Sequence, residues 1–265
     1  MPVDKNDKLP ELLAVIEDLA AGHYSNDIMG LTGPDVPEPI RSIAESMGLM
    51  MVRVEAREFH LEQLNRAIRD NALKTVTTMA HALGARDAYT EGHAARVADI
   101  AFAVARRLGL DDEECEYIRL GGLLHDVGKI GFPDALFDDH AEKNPPELVK
   151  QITRHPEIGA RILSDLDFLG PALEYIRCHH ERIDGSGYPR GLKDEQVPLG
   201  AQILAVADVY DAVTTDRPYH KGKSSEKALE ILAKQSGKRI GREVVEALDH
   251  EVQERSRNAL APDPE

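Results

Sequence analysis

Apolar residues recur at steps of three and four along most of this chain, and no segment of convincing length alternates at a step of two, so helices are predicted and strands are not. Residues 9–21 put Leu9, Leu12, Leu13, Ile16 and Leu19 on one side of a short amphipathic helix. Gly22 and the run from Gly30 to Asp35 interrupt the pattern and predict a connector. A much longer helix opens near Pro37 or Pro39. Its positions Ile40, Ile43, Met47, Met50, Val54, Leu61, Leu64 and Ile68 keep a heptad spacing that only Arg57 breaks. Roughly four heptads of this kind predict a dimerising coiled coil over 40–68, the alternative being a long helix packed on the main domain. After Ile68 the stripe shifts phase to Leu73, Val76, Met79, Ala80 and Leu83, Gly84 is expected to end the helix, and a domain boundary follows between 75 and 85.

From Asp87 to about Glu254 the pattern is again helical. Val97, Ile100, Ala101, Val104 and Leu108 form one stripe, closed by Gly109; Asp111 and Asp112 open the next helix, which runs through Tyr117 and Ile118 to His125 and is stopped at Gly128. Further helices are expected over 146–166, 170–180, 199–215, 224–235 and 242–254. The predicted fold is all-α: a helix–connector–long helix module over 1–80, a helical bundle domain over 81–257 and a flexible tail over 258–265.

Composition narrows this reading. With no Trp and 5% aromatic residues, Leu, Ile, Val and Ala must fill the core. A formal net charge of −15 and an isoelectric point near 5.2 exclude a protein built to coat polymeric nucleic acid or an anionic membrane. They do not exclude a small anion held by metals and a few placed cations. The two cysteines, Cys115 and Cys178, have no framework spacing and point to a reducing compartment. Cys178 reads as a small buried apolar residue rather than a ligand. Residues 1–10 lack an apolar core, and nothing approaches the ~18 consecutive apolar residues of a membrane span. The expectation is a soluble, cytoplasmic chain, and a chain cut from an upstream membrane segment would read the same.

The chemistry lies in the histidines. Six of eleven fall between His93 and His180, and His93, His125, His155 and His180 stand at same-face spacing from apolar neighbours, as do Asp208 and Asp211. A buried, unpaired imidazole or carboxylate is costly. One such group on an apolar face has an ordinary structural reading; several helices each turning one inward share a common explanation in a metal cluster. Imidazole with carboxylate suits octahedral first-row metals, and two such ions drive in-line phosphodiester hydrolysis. The glycines around Ser186, followed by Tyr188-Pro189, predict a tight turn beside the cluster.

The segments Tyr89–His93, His125–Lys129, Arg154–Pro156, HHERIDGSGYP over 179–189 and VADVYDAVTTDRPY over 206–219 together resemble the signature of HD-GYP proteins, a bacterial branch of the HD metal-dependent phosphohydrolases. The resemblance covers about residues 87–250. It implies an all-helical fold, a two- or three-metal centre and hydrolysis of cyclic di-GMP to linear pGpG or GMP. Carried over residue by residue, it implies His93, His125, Asp126, His155, His179, His180 and Asp208 as metal ligands, with Asp126 bridging. Lys129 would neutralise the scissile phosphate, Asp211 would support the catalytic carboxylates, and Gly187, Tyr188, Pro189 and Arg217 would hold the nucleotide.

Four departures qualify this. Tyr89 stands where some members place an acidic third-site ligand, so two divalent ions, iron or manganese, are expected. Ile183 replaces a usual Trp, residues 137–146 lack the usual Lys-Pro-Gly pattern, and Gly241-Arg242 replaces a typical Asp-Pro. The N-terminal helix–connector–helix resembles a HAMP signalling module, which implies a parallel homodimer. The leading expectation is a cyclic di-GMP phosphodiesterase; the alternatives are a cyclic di-GMP receptor with negligible turnover and a hydrolase of another cyclic dinucleotide.

Overall fold

The computed structural model describes residues 8–23, 26–86, 92–132, 150–216 and 221–260, with the backbone alone over 79–86 and 259–260. Among these residues the regular elements are helices, and the only β pairing is two isolated bridges, Asp184 with Lys193 and Ser236 with Ile240. No helix among them is long and apolar enough to cross a membrane.

The chain divides into two compact units, Met1–Asn71 and Ala72–Glu265. In the first, α1 (Leu9–Ala20) and a 3₁₀ turn (Asn26–Leu31) lie against the start of α2 (Glu38–Arg86). Leu12, Val15, Ile28 and Leu31 close a small core with Ala44 and Met51. Of the heptad positions, Ile40 and Met47 pack against this core, while Ile43, Met50, Leu61, Leu64 and Ile68 remain exposed. Gly84 does not end α2, which continues to Arg86; one glycine costs a helix only about 1 kcal/mol relative to Ala. The division at 71/72 falls before the expected boundary at 80/81 because Leu73 and Val76 pack on the core of the second unit.

That second unit comprises α3 (His93–Arg107), α4 (Asp112–Leu124), a 3₁₀ turn (Val127–Gly131), α5 (His155–Ile162), α6 (Ala172–Cys178), α7 (Leu199–Thr214), α8 (Ser225–Ala233) and α9 (Arg242–Leu260). Asp111 caps α4 by accepting from Glu114 N at 2.8 Å. The α3 stripe of Val97, Ala101 and Val104 meets Ile118 of α4, Leu204 of α7 and Leu248 of α9 in the main core. A neighbouring cluster joins Leu120 and Leu124 to Leu163, Leu169 and Ile176.

Four boundaries correct the sequence expectation. The helix expected over 146–166 is interrupted at 153–154 and restarts at His155, with its first residues outside the described ones. Helix α4 ends at Leu124, before His125, and α6 ends at Cys178, before His179 and His180. Instead of ending at 254, α9 runs on to Leu260, into the stretch expected to be a tail, since neither Gly nor Pro stands between 242 and 260 to stop it.

Candidate metal centre

The early ends of α4 and α6 determine how the imidazoles are held. The last carbonyls of a helix lack intrahelical donors, and a histidine just past the end can cap one through Nδ1–H. His125 does this to Gly122 O at 2.8 Å, His179 to Ile176 O at 2.7 Å and His155, after the turn at 153–154, to Ile152 O at 2.7 Å. With Nδ1 committed as donor, Nε2 of each ring carries a lone pair, and these lone pairs converge. Nε2 of His155 and of His179 lie 3.3 Å apart with no proton to share, and Nε2 of His125 is buried without a hydrogen-bond partner.

Two triads of donor atoms result. His155, His179 and His180 form one; His93, His125 and Asp208 form the other. Asp126 lies between them: Oδ1 faces His155 Nε2 and Oδ2 faces His125 Nε2, each at 3.4 Å. It also joins His125 and His179 in a third overlapping group. A carboxylate with one oxygen toward each triad has the geometry of a bridge.

Electrostatics point the same way. Burial, with the neighbouring His155, holds His180 down to about 3, and burial with the adjoining imidazoles holds His179 well below its ordinary range. Burial also lowers His155. These rings stay neutral, the state a metal ligand needs. His93 behaves differently. Burial opposes its charge, but hydrogen bonds to Asp208 and Asp211 outweigh burial and push it up to about 9. Its Nε2 lies 3.3 Å from Asp208 Oδ1. Partial burial opposes the charge of Asp208 and Asp126, yet the hydrogen bond from His93 to Asp208 and the Lys129 ammonium beside Asp126 keep both carboxyls below the usual range. Clustered lone pairs beside charged carboxylates, largely shielded from water, fit bound metal cations.

The structure thus brings together all seven expected ligands. Lys129 rests its Nζ on Asp126 Oδ2 at 2.7 Å. Asp211 does not face the cluster directly; its Oδ2 accepts from His93 Nδ1 at 2.7 Å. Packing at Gly128 makes the Asp126–His155 approach possible, because a Cβ there would lie 2.0 Å from His155 O and 2.6 Å from Gly159 N.

The Gly-Tyr-Pro turn forms one wall. Tyr188 stacks obliquely on His180, ring centroids 4.7 Å apart, and donates its backbone N–H to His180 O at 3.2 Å. Gly187 crosses the Glu181–Arg182 backbone so closely that a Cβ would lie 2.4 Å from Arg182 N. Pro189 follows through a cis peptide bond. Arg217, Tyr89 and the 137–146 segment lie outside the described residues. Glu181 has a part in the site that the motifs do not reveal. Buried at 3% exposure, its carboxylate accepts backbone N–H groups of Arg190 (2.6 Å), Gly191 (3.2 Å) and Leu192 (3.0 Å), closing the loop that carries Tyr188. Its partners are main-chain groups, which leave no residue pattern to read; the one available signal was an acid beside two ligands and ahead of a glycine-rich loop.

A family model described as an HD domain matches residues 77–244. The chain is 44% identical over 153 residues to a cyclic di-GMP phosphodiesterase of Pseudomonas aeruginosa, covering 57% of this chain and 36% of that protein. It is 35% identical over 229 residues to a cyclic di-GMP phosphodiesterase response regulator of Xanthomonas campestris pv. campestris, covering 82% and 60%. The chain therefore spans between about a third and three-fifths of the length of these curated relatives. Among solved structures, a cyclic GMP-AMP-specific phosphodiesterase of Vibrio cholerae superposes with a TM-score of 0.57 at 20% identity, over 72% of this chain and 51% of that one, which shows a shared fold. With the family model spanning the His125-Asp126 pair and more than half the residues, the chain belongs to the HD-domain family.

Proposed function

We propose that this chain is a phosphodiesterase that opens cyclic di-GMP to linear pGpG. The observation that carries this is the single carboxylate of Asp126 set between two donor triads, together with the names of the relatives above. His93, His125 and Asp208 would hold one divalent ion, His155, His179 and His180 the other, with Asp126 shared. Iron and manganese suit this imidazole and carboxylate set. Bound, two such ions supply a nucleophile from water at neutral pH and stabilise the attacking and leaving oxygens of an in-line displacement.

The chain's own residues do the rest. Lys129, half in solvent, can swing from Asp126 to a phosphate oxygen and meet the charge that builds there. The Tyr188 ring, fixed on His180 by the Gly187 crossing and the Glu181 anchor, offers a flat face for a base. Arg217 is assigned to the nucleotide as well. A HAMP-like module over 1–80, ahead of a catalytic domain over 81–257, supplies a homodimer through the exposed stripe of α2. Its place is the cytoplasm, in keeping with two free, buried cysteines.

Time-resolved chromatography with iron- or manganese-loaded protein tests the reaction. We expect pGpG to accumulate before any GMP, since a second cleavage requires the flexible linear product to dock again with its other linkage in line. GMP without transient pGpG would refute that order. Faster turnover of 3'3'-cGAMP would move the assignment to another cyclic dinucleotide, and tight binding without turnover under either metal would make the chain a receptor.

A further inference from the structure

We propose that Arg96 is a positioning residue for one of the two metal positions, acting on His93 through Asp211; the proposal rests on reading the cluster as a two-ion centre. Three of the imidazoles need no such help, because His125, His155 and His179 each cap a carbonyl three residues back at a helix end. His93 cannot do this. It is the first residue of α3, and at a helix N-terminus the unsatisfied groups are N–H donors rather than carbonyl acceptors. Its Nδ1–H therefore needs an acceptor from elsewhere, and Asp211, near the end of α7, supplies one at 2.7 Å.

A side-chain carboxylate is a less fixed acceptor than a helix carbonyl, because rotation about its last bond is soft. The aim of the His93 ring then depends on what holds Asp211. Arg96 holds both oxygens: Nε donates to Oδ1 at 2.6 Å and Nη2 to Oδ2 at 3.1 Å. Thr215 Oγ1 adds a donor to Oδ1 at 3.1 Å. Such a two-pronged guanidinium fixes a carboxylate plane in a way a lysine ammonium does not. Arg96 lies one helical turn beyond His93, and the turn is shaped around it. Gly92 has φ +75°, and a Cβ there would lie 2.9 Å from Arg96 Nη1. With Nδ1 held, His93 Nε2 faces Asp208 and the position it shares with His125. Loss of Arg96 should therefore weaken that position and leave His155, His179 and His180 unaffected.

The test is a manganese titration of the metal-stripped 265-residue chain, read by calorimetry and by Mn(II) electron paramagnetic resonance, for the unchanged chain, Arg96→Gln, Arg96→Lys and Asp211→Asn. We expect two ions per chain in the unchanged protein. Arg96→Gln should lose roughly 10- to 100-fold in affinity for one ion, the span typical of groups that orient a metal-bound histidine, while the other ion binds as before and reports an intact fold. Asp211→Asn should reproduce that selective loss, and Arg96→Lys should fall between. Both affinities unchanged in Arg96→Gln would overturn the proposal, as would an equal loss of both. An unchanged chain that binds neither manganese nor iron would instead overturn the two-ion reading beneath it.

Discussion

At the scale of single residues, the proposed two-ion centre separates groups that would hold cations from groups that would act beside them. Asp126 offers one oxygen to each triad, so Asp126→Ala should remove metal and activity together. Lys129 meets the cluster at Asp126 Oδ2 and is not itself among the grouped donor residues. Lys129→Ala should keep both ions and lose about 10²-fold in rate, the order expected when one donor to developing charge is removed. Elemental analysis beside a rate assay decides the matter; equal metal loss in the two variants would contradict the division. Glu181 is a third kind of group. Changing it to Gln sets an amide N–H2 against backbone N–H donors in a buried place, at a cost of about 1–3 kcal/mol. Thermal melting should show that loss with two ions still bound, and turnover should drop because the Tyr188 wall is no longer fixed. Unchanged melting and turnover would show that the three backbone bonds to Glu181 contribute nothing.

The elements explain why some of this was legible in the sequence and some was not. Helical stripes such as Val97, Ala101 and Val104 were readable because burial on one face imposes the 3.6-residue period. The candidate ligands that gather here were readable from the motifs. The reason those ligands converge was not: spacing put His125, His155 and His180 on apolar stripes inside helices, whereas α4 and α6 stop short of them and His155 begins a new helix. Pro156, in the first turn of α5, marks the restart after 153–154, but the capping of carbonyls by imidazole depends on three-dimensional direction rather than on pattern. Gly128 shows the same gap. It was read as a helix stop, but its role is to let the 3₁₀ turn lie against the start of α5. Gly128→Ala puts a methyl 2.0 Å from His155 O, where only backbone movement relieves it. A loss of at least about 2 kcal/mol is expected, together with weaker metal binding, since Asp126 and His155 are then forced apart. A melting temperature and metal content equal to those of the unchanged chain would show that the packing tolerates the methyl.

Over the whole molecule, the unresolved physical question is the apolar surface that the first unit leaves on α2. Its own small core accounts for Ala44 and Met51, with Ile40 and Met47 at its edge. Ile43, Met50, Leu61, Leu64 and Ile68 are 45–65% exposed. Isolated exposed apolar residues are ordinary, but five on one heptad stripe over roughly 38 Å of helix, interrupted only at Arg57, form a seam suited to a partner helix. A second copy of the same helix would cover it symmetrically, each apolar residue meeting its counterpart, as a parallel coiled coil requires. Leu61 and Leu64 are the positions to change, because neither belongs to a core cluster of its own chain, whereas charging Met47 would also disturb the packing of α1. Leu61→Glu with Leu64→Glu places four carboxylates in the seam of a dimer and none in the interior of a monomer. The unchanged chain should be a dimer by light scattering at micromolar concentration. The double variant should be a monomer that keeps its helical circular dichroism and its metal content. An unchanged chain that is monomeric under those conditions would remove the coiled coil from the account, and with it the HAMP-like reading of residues 1–80.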